Sequence, residues 1–203
     1  MPKQANRVSR RKGKGLLPPN PKQWDFEHNG LDVRQELGVP LDAAVDERAA
    51  FSLRSNVTIV AHGELEMAQT YIERFRGGRS GRWSGMCVPL PDGETFVIYN
   101  DSHAITRIRA TLMEEFFHLR LGHPPTSVRI FKKEGTHRSY QSDVEREAYE
   151  SGAALLVPYK SLREMLLARE STASIATQFG VSPELVRFRA KVTRLYSHIR
   201  KAA

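Results

Sequence analysis

The stretch Ile105-Thr-Arg-Ile-Arg-Ala-Thr-Leu-Met-Glu-Glu-Phe-Phe-His-Leu-Arg-Leu-Gly122 decides how the chain is read. Ile105, Ile108, Leu112, Phe116 and Leu119 recur at steps of three and four, which predicts a helix with one buried face. Gly122-His123-Pro124-Pro125 ends it. Near its end, Glu114 and His118 stand at i and i+4 and so share a face. Glu115 lies between them in sequence.

Working outward, Val57-Thr-Ile-Val-Ala61 is β-branched and strand-like. Residues 83–89 and 95–100 read as two strands joined at Pro91-Asp92-Gly93, the spacing of a hairpin. Residues 28–52 carry short helical patterns ending near Gly38-Val39-Pro40. A helix is expected over 67–76 and a Gly-rich loop over 77–82. Downstream, 126–142 reads as loop, and Ser142-Asp143 as the cap of a second helix reaching about Val157. Further helices are expected over 159–169, 172–179 and 183–197. Mixed strands and helices followed by helices alone predict an α+β fold.

The five residues Glu114-Glu115-Phe116-Phe117-His118 have the spacing of H-E-x-x-H, a zinc-peptidase helix motif. In that motif the first and fifth residues face one metal and the second activates water. By itself E-E-x-x-H fits an acidic, solvated helix face equally well. Other blocks bear on the choice. Arg109-x-Thr111-Leu112 precedes the motif, Leu121-Gly122-His123 follows it, and a strand ending at Asn100 leads into it. Glu145-Arg-Glu-Ala148 and Ala153-Ala-Leu-Leu-Val-Pro158 come later.

Together these blocks resemble the ImmA/IrrE metallo-endopeptidase family over about residues 30–195. The resemblance implies a small zincin-like domain with a short sheet and an active-site helix, then a helix-turn-helix-like C-terminal part. It implies Glu114, His118 and Glu145 as metal ligands, Glu115 as general base, and zinc as the metal. It also implies a narrow protein substrate, a helix-turn-helix repressor in phage, mobile-element or stress regulation. The strand before the helix would hold the peptide at the sheet edge. Two positions depart from the family pattern. Tyr149 replaces a usual Asn, and Glu114 replaces the first His.

An anionic oxygen in place of a neutral nitrogen makes the ligand set harder, toward manganese or iron. It also makes a bound water less acidic. Three outcomes follow: zinc catalysis at reduced efficiency, a different metal, or a silent site kept for regulation by protein or DNA binding. His103 and His123 flank the helix and read as surface or helix-end residues.

Residues 175–186 have helix-turn-helix spacing, with small Ala176 at the crossing, Gly180 in the turn and Val186 inward. Ser182 is a good N-cap and Pro183 a good first helical residue. The second helix pairs an apolar stripe (Leu185, Phe188, Val192, Leu195) with a basic one, Arg187, Lys191 and Arg194. A DNA-reading helix and a solvated basic face both look like this.

The 203 residues carry a formal charge of +8, and residues 1–14 hold six basic side chains and no acidic one. That segment is expected to be a disordered basic tail over 1–22, open to acidic partners such as DNA. A peptidase domain over 23–170 and C-terminal helices over 171–203 complete the expected division. The one cysteine, Cys87, cannot form an internal disulfide or build a thiolate site alone. No run approaches the ~20 apolar residues of a membrane span, and no secretory signal is read. A reducing cytoplasm is the expected setting.

Overall fold

The computed structural model describes residues 20–65, 83–124 and 138–199, with only the backbone of 138–142. The expected tail (as far as residue 19), the 67–76 helix, the 77–82 loop and most of the 126–142 loop lie outside those residues.

Helix α1 spans Pro21–Leu37. It is longer than the short patterns expected and begins inside the segment read as tail. The reason is local: Asn20 accepts from the Gln23 backbone N–H at 2.9 Å and Pro21 stands in the first turn. Gly38 at φ 65 ends the helix. Helix α2 spans Glu47–Ser52, capped by Asp46.

Three strands follow among the described residues, β1 (Val57–Ala61), β2 (Gly85–Pro89) and β3 (Thr95–Tyr99). Their order is β1-β3-β2. β3 runs parallel to β1 and antiparallel to β2, with Val57 opposite Thr95 and Cys87 opposite Val97. The hairpin closes where expected, with Leu90 N–H donating to Glu94 O at 2.8 Å. One expectation is corrected. The strand leading into the site helix, β3, is the centre of the sheet, and both of its edges are already paired. Among the described residues, the edge nearest the site helix belongs to β2.

Helix α3 spans Ile105–Arg120 and buries Leu112, Met113, Phe116 and Phe117. The start of the expected stripe differs, because Ile105 is 68% exposed. Helix α4 spans Arg138–Leu156. It begins before Ser142-Asp143, so those residues lie within its first turns and do not cap it. Then come α5 (Tyr159–Leu167), α6 (Thr172–Phe179), α7 (Pro183–Val192) and α8 (Tyr196–Ile199). The single helix expected over 183–197 breaks after Val192, and Arg194 there takes a left-handed φ of 58.

Helix α1 packs on the end of α4 through Gly30, where a Cβ would come 2.5 Å from the Leu155 backbone nitrogen. Buried Arg34 donates to the carbonyls of Leu155 (2.6 Å), Leu156 (3.2 Å), Pro40 (2.5 Å) and Ala43 (3.0 Å). Two of these carbonyls end α4, where a helix leaves acceptors unpaired and favours a cation. Burial pulls the Arg34 guanidinium down to about 10, so it stays charged at neutral pH.

One apolar cluster runs through Met113, Phe116 and Phe117 of α3 into Ile175, Phe179, Val186 and Ala190 of α6 and α7. Arg189 of α7 is buried too, ion-paired to Glu27 of α1 and donating to Val157 O at 3.0 Å. The C-terminal helices are thus part of the same core as the site helix.

Candidate metal centre

The site lies where α3 and α4 pass each other. Gly152 allows the approach. A Cβ there would stand 3.0 Å from the Met113 carbonyl carbon and 3.2 Å from the Glu114 backbone nitrogen. Seven residues earlier on α4, about two turns, Glu145 reaches His118 on α3. The His118 Nε2 to Glu145 Oε2 distance is 3.4 Å. Glu114, His118 and Glu145 each offer one ligand atom, and these atoms all lie within 4.8 Å of one another. Two ligand atoms about 2.1 Å from a tetrahedral ion would be roughly 3.4 Å apart. The spacing therefore suits one small divalent cation held by two carboxylates and an imidazole.

The charges point the same way. Burial, then the negative charges of Glu115 and Glu145, push Glu114 up to about 7, against a smaller opposing pull from His118. Burial also raises Glu115, eased by a hydrogen bond from Cys87 and by His118. Burial opposes the charged form of His118, but Glu145, Glu115 and Glu114 outweigh it and raise the imidazole. A cation at this point would offset the negative charge of the three carboxylates around His118.

Cys87 and His123 matter more than their sequence positions indicate. The Cys87 thiol donates to Glu115 Oε2 at 3.0 Å. Burial, reinforced by Glu115, raises this thiol far above its usual range and keeps it protonated. β2 sits close enough for this because residue 85 is glycine. A Cβ there would meet the Thr111 side chain at 2.6 Å. Contact across the sheet–helix interface carries no local sequence signal. His123 takes the helix-end place expected of it, but with its side chain turned inward and not at the surface. Its side chain is 8% exposed, and its Nδ1 lies 3.1 Å from Nδ1 of His118. His103 stays away from the site, beside Asn100.

Tyr149, one turn beyond Glu145, packs edge-on to Phe188 of α7 at 5.0 Å. Burial and the charge of Glu114 raise its phenol. The basic trio behaves differently from the site. Arg187, Lys191 and Arg194 are all exposed, and Arg187 pairs with Glu184 at 3.1 Å. Arg194 has left the helix that carries the other two.

The model of the peptidase M78 family, the IrrE N-terminal-like domain, matches residues 65–191. The chain belongs to this family. The match takes in both site helices and most of α7. Among solved structures, a Mycobacterium tuberculosis transcriptional regulator superposes with a TM-score of 0.56 at 13% identity, covering 82% of this chain and 46% of that one. That likeness supports the fold alone, and this chain corresponds to just under half the length of that regulator. No curated protein matches the chain. No described helix of this IrrE-like domain is long and apolar enough to cross a membrane.

Proposed function

We propose that this IrrE-like domain is a metal-dependent endopeptidase, with Glu114, His118 and Glu145 holding one divalent ion and Glu115 acting as general base. The observation that carries the reading is the convergence of those three ligand atoms within 4.8 Å, with the Glu115 carboxylate close enough to interact with them electrostatically. When bound, the ion would supply Lewis-acid polarisation of a peptide carbonyl and lower the pKa of water. Glu115 takes a proton from the attacking water and passes it to the leaving amine. The Cys87 thiol holds one oxygen of Glu115, and the other would take part in that transfer. The edge of β2 is where an extended peptide would add to the sheet. Zinc is the family's metal, and the anionic Glu114 also admits manganese or iron.

The substrate class we propose is a helix-turn-helix repressor, cut in the cytoplasm. Purified protein loaded with zinc or manganese would be incubated with repressors encoded beside it. Cleavage by the wild type and none by Glu115→Gln supports the reading. Equal cleavage by both, or none with any metal, contradicts it.

A second reading is favoured by the exposed Arg187, Lys191 and Arg194 and by the altered ligand Glu114. In it the site is catalytically silent and the domain regulates by binding protein or DNA. Six tail–phosphate contacts alone give a log–log salt slope of about −5 on duplex DNA. A flat salt response removes the DNA form of this reading.

A further inference from the structure

His118 engages both of its ring nitrogens. Nε2 faces Glu145 at 3.4 Å, and Nδ1 faces Nδ1 of His123 at 3.1 Å. His123 in turn directs its own Nε2 to Glu147 Oε2 at 3.4 Å. The end of α3 sets this edge-on contact. His123 N–H donates to His118 O at 2.9 Å and Gly122 N–H to Leu119 O at 3.3 Å, with Gly122 at φ 67. These are the two bonds of a Schellman motif, which brings the second residue past the cap back over the third-last helical residue. Such a contact is usually apolar. Here it joins two imidazoles, with ring centroids 5.1 Å apart.

We propose that His123 and Glu147 form an outer relay that fixes His118 as a metal ligand through Nε2. The inference rests on the metal reading of Glu114, His118 and Glu145. Its logic is proton bookkeeping. Only one of two facing Nδ1 atoms can carry the hydrogen between them. If His118 gives its Nε2 lone pair to a cation, its Nδ1 must be protonated and must donate. His123 then accepts at Nδ1 and carries its own hydrogen on Nε2, where Glu147 accepts it. One tautomer of each ring satisfies every contact. Partners of this kind set ligand orientation and basicity. His123 and Glu147 are therefore positioning residues and touch no substrate.

The test is zinc affinity by chelator competition, together with ring-nitrogen NMR of the zinc-loaded protein. His123→Leu and Glu147→Ala are each expected to weaken zinc binding, His123→Leu by about 10–100-fold. His123→Gln, whose side-chain oxygen can accept from His118, should recover most of the loss. In the wild type, His123 should be the Nε2–H tautomer, and the His118 Nδ1 proton should exchange slowly. Unchanged affinity in folded His123→Leu, or His123 found as the Nδ1–H tautomer, overturns the relay while the metal site stands. Wild-type protein that binds no zinc or manganese overturns the metal reading, and the relay with it.

Discussion

Gly152 of α4 lies against the backbone of Met113 and Glu114, with little room for a side chain: a Cβ would sit 3.0 Å from the Met113 carbonyl carbon and 3.2 Å from the Glu114 nitrogen. This contact sets the distance between the helix that carries Glu114 and His118 and the helix that carries Glu145. Gly152→Ala gains about 1 kcal/mol of helix propensity but presses on backbone that cannot step aside cheaply. Gly152→Val adds bulk and should lose about 1–3 kcal/mol by overpacking. Both variants should bind metal more weakly than wild type. Urea unfolding and chelator competition check the two effects separately.

The buried pair of Glu27 and Arg189 joins the first long helix to the C-terminal helices. Glu27 also accepts from the Tyr159 backbone N–H at 2.7 Å. Arg189→Ala leaves a carboxylate buried without its cation, and should cost about 3–5 kcal/mol. Arg189→Met combined with Glu27→Gln should recover part of that loss, since the carboxylate is then no longer buried without its cation. A double-mutant cycle in urea reads the coupling.

The thiol of Cys87 should be replaceable only by another donor. Cys87→Ser keeps a hydrogen for Glu115 and should retain cleavage. Cys87→Ala frees the carboxylate to turn, and should lower kcat about tenfold, or ~1.4 kcal/mol of barrier, with KM little changed. Steady-state kinetics on a cleaved repressor decides it. Equal kcat in both variants removes the positioning role.

Metal binding should release protons near neutrality. Glu114 stands at about 7 in the metal-free protein, raised chiefly by burial and then by Glu115 and Glu145. Below pH 7 it is protonated, and an ion must displace that proton to bind. Above pH 7 it is already ionised. Affinity should therefore fall as pH drops through 7, by up to about tenfold per pH unit for one proton. His118, raised by its acidic neighbours, adds to this in the same direction. Calorimetry in buffers of different ionisation enthalpy counts the protons released.

Much of this fold was legible because local patterns carried it. The apolar spacing of α3, the Pro-Asp-Gly hairpin and the Ser182-Pro183 start of α7 are all short-range signals. The apolar pattern of α1 understates its length because Glu27 and Arg34, each 1% exposed, point inward and interrupt it. Strand order has no local signature, so the central place of β3 was not visible. The site divides similarly. Glu114 and His118 share a helix face by spacing alone, whereas Glu145 needed the family resemblance to stand out from the acidic run around it. The sequence gives no sign of the contacts that Cys87 and His123 make at the site, because a sheet–helix contact and a Schellman turn place them there.

The most direct test of the central claim is the metal content of the purified full-length protein after dialysis against zinc or manganese. One equivalent per chain is expected for wild type, with loss of that equivalent in His118→Ala and in Glu145→Ala. No stoichiometric metal in wild type, or an equivalent that survives both substitutions, would contradict a metal centre built from Glu114, His118 and Glu145.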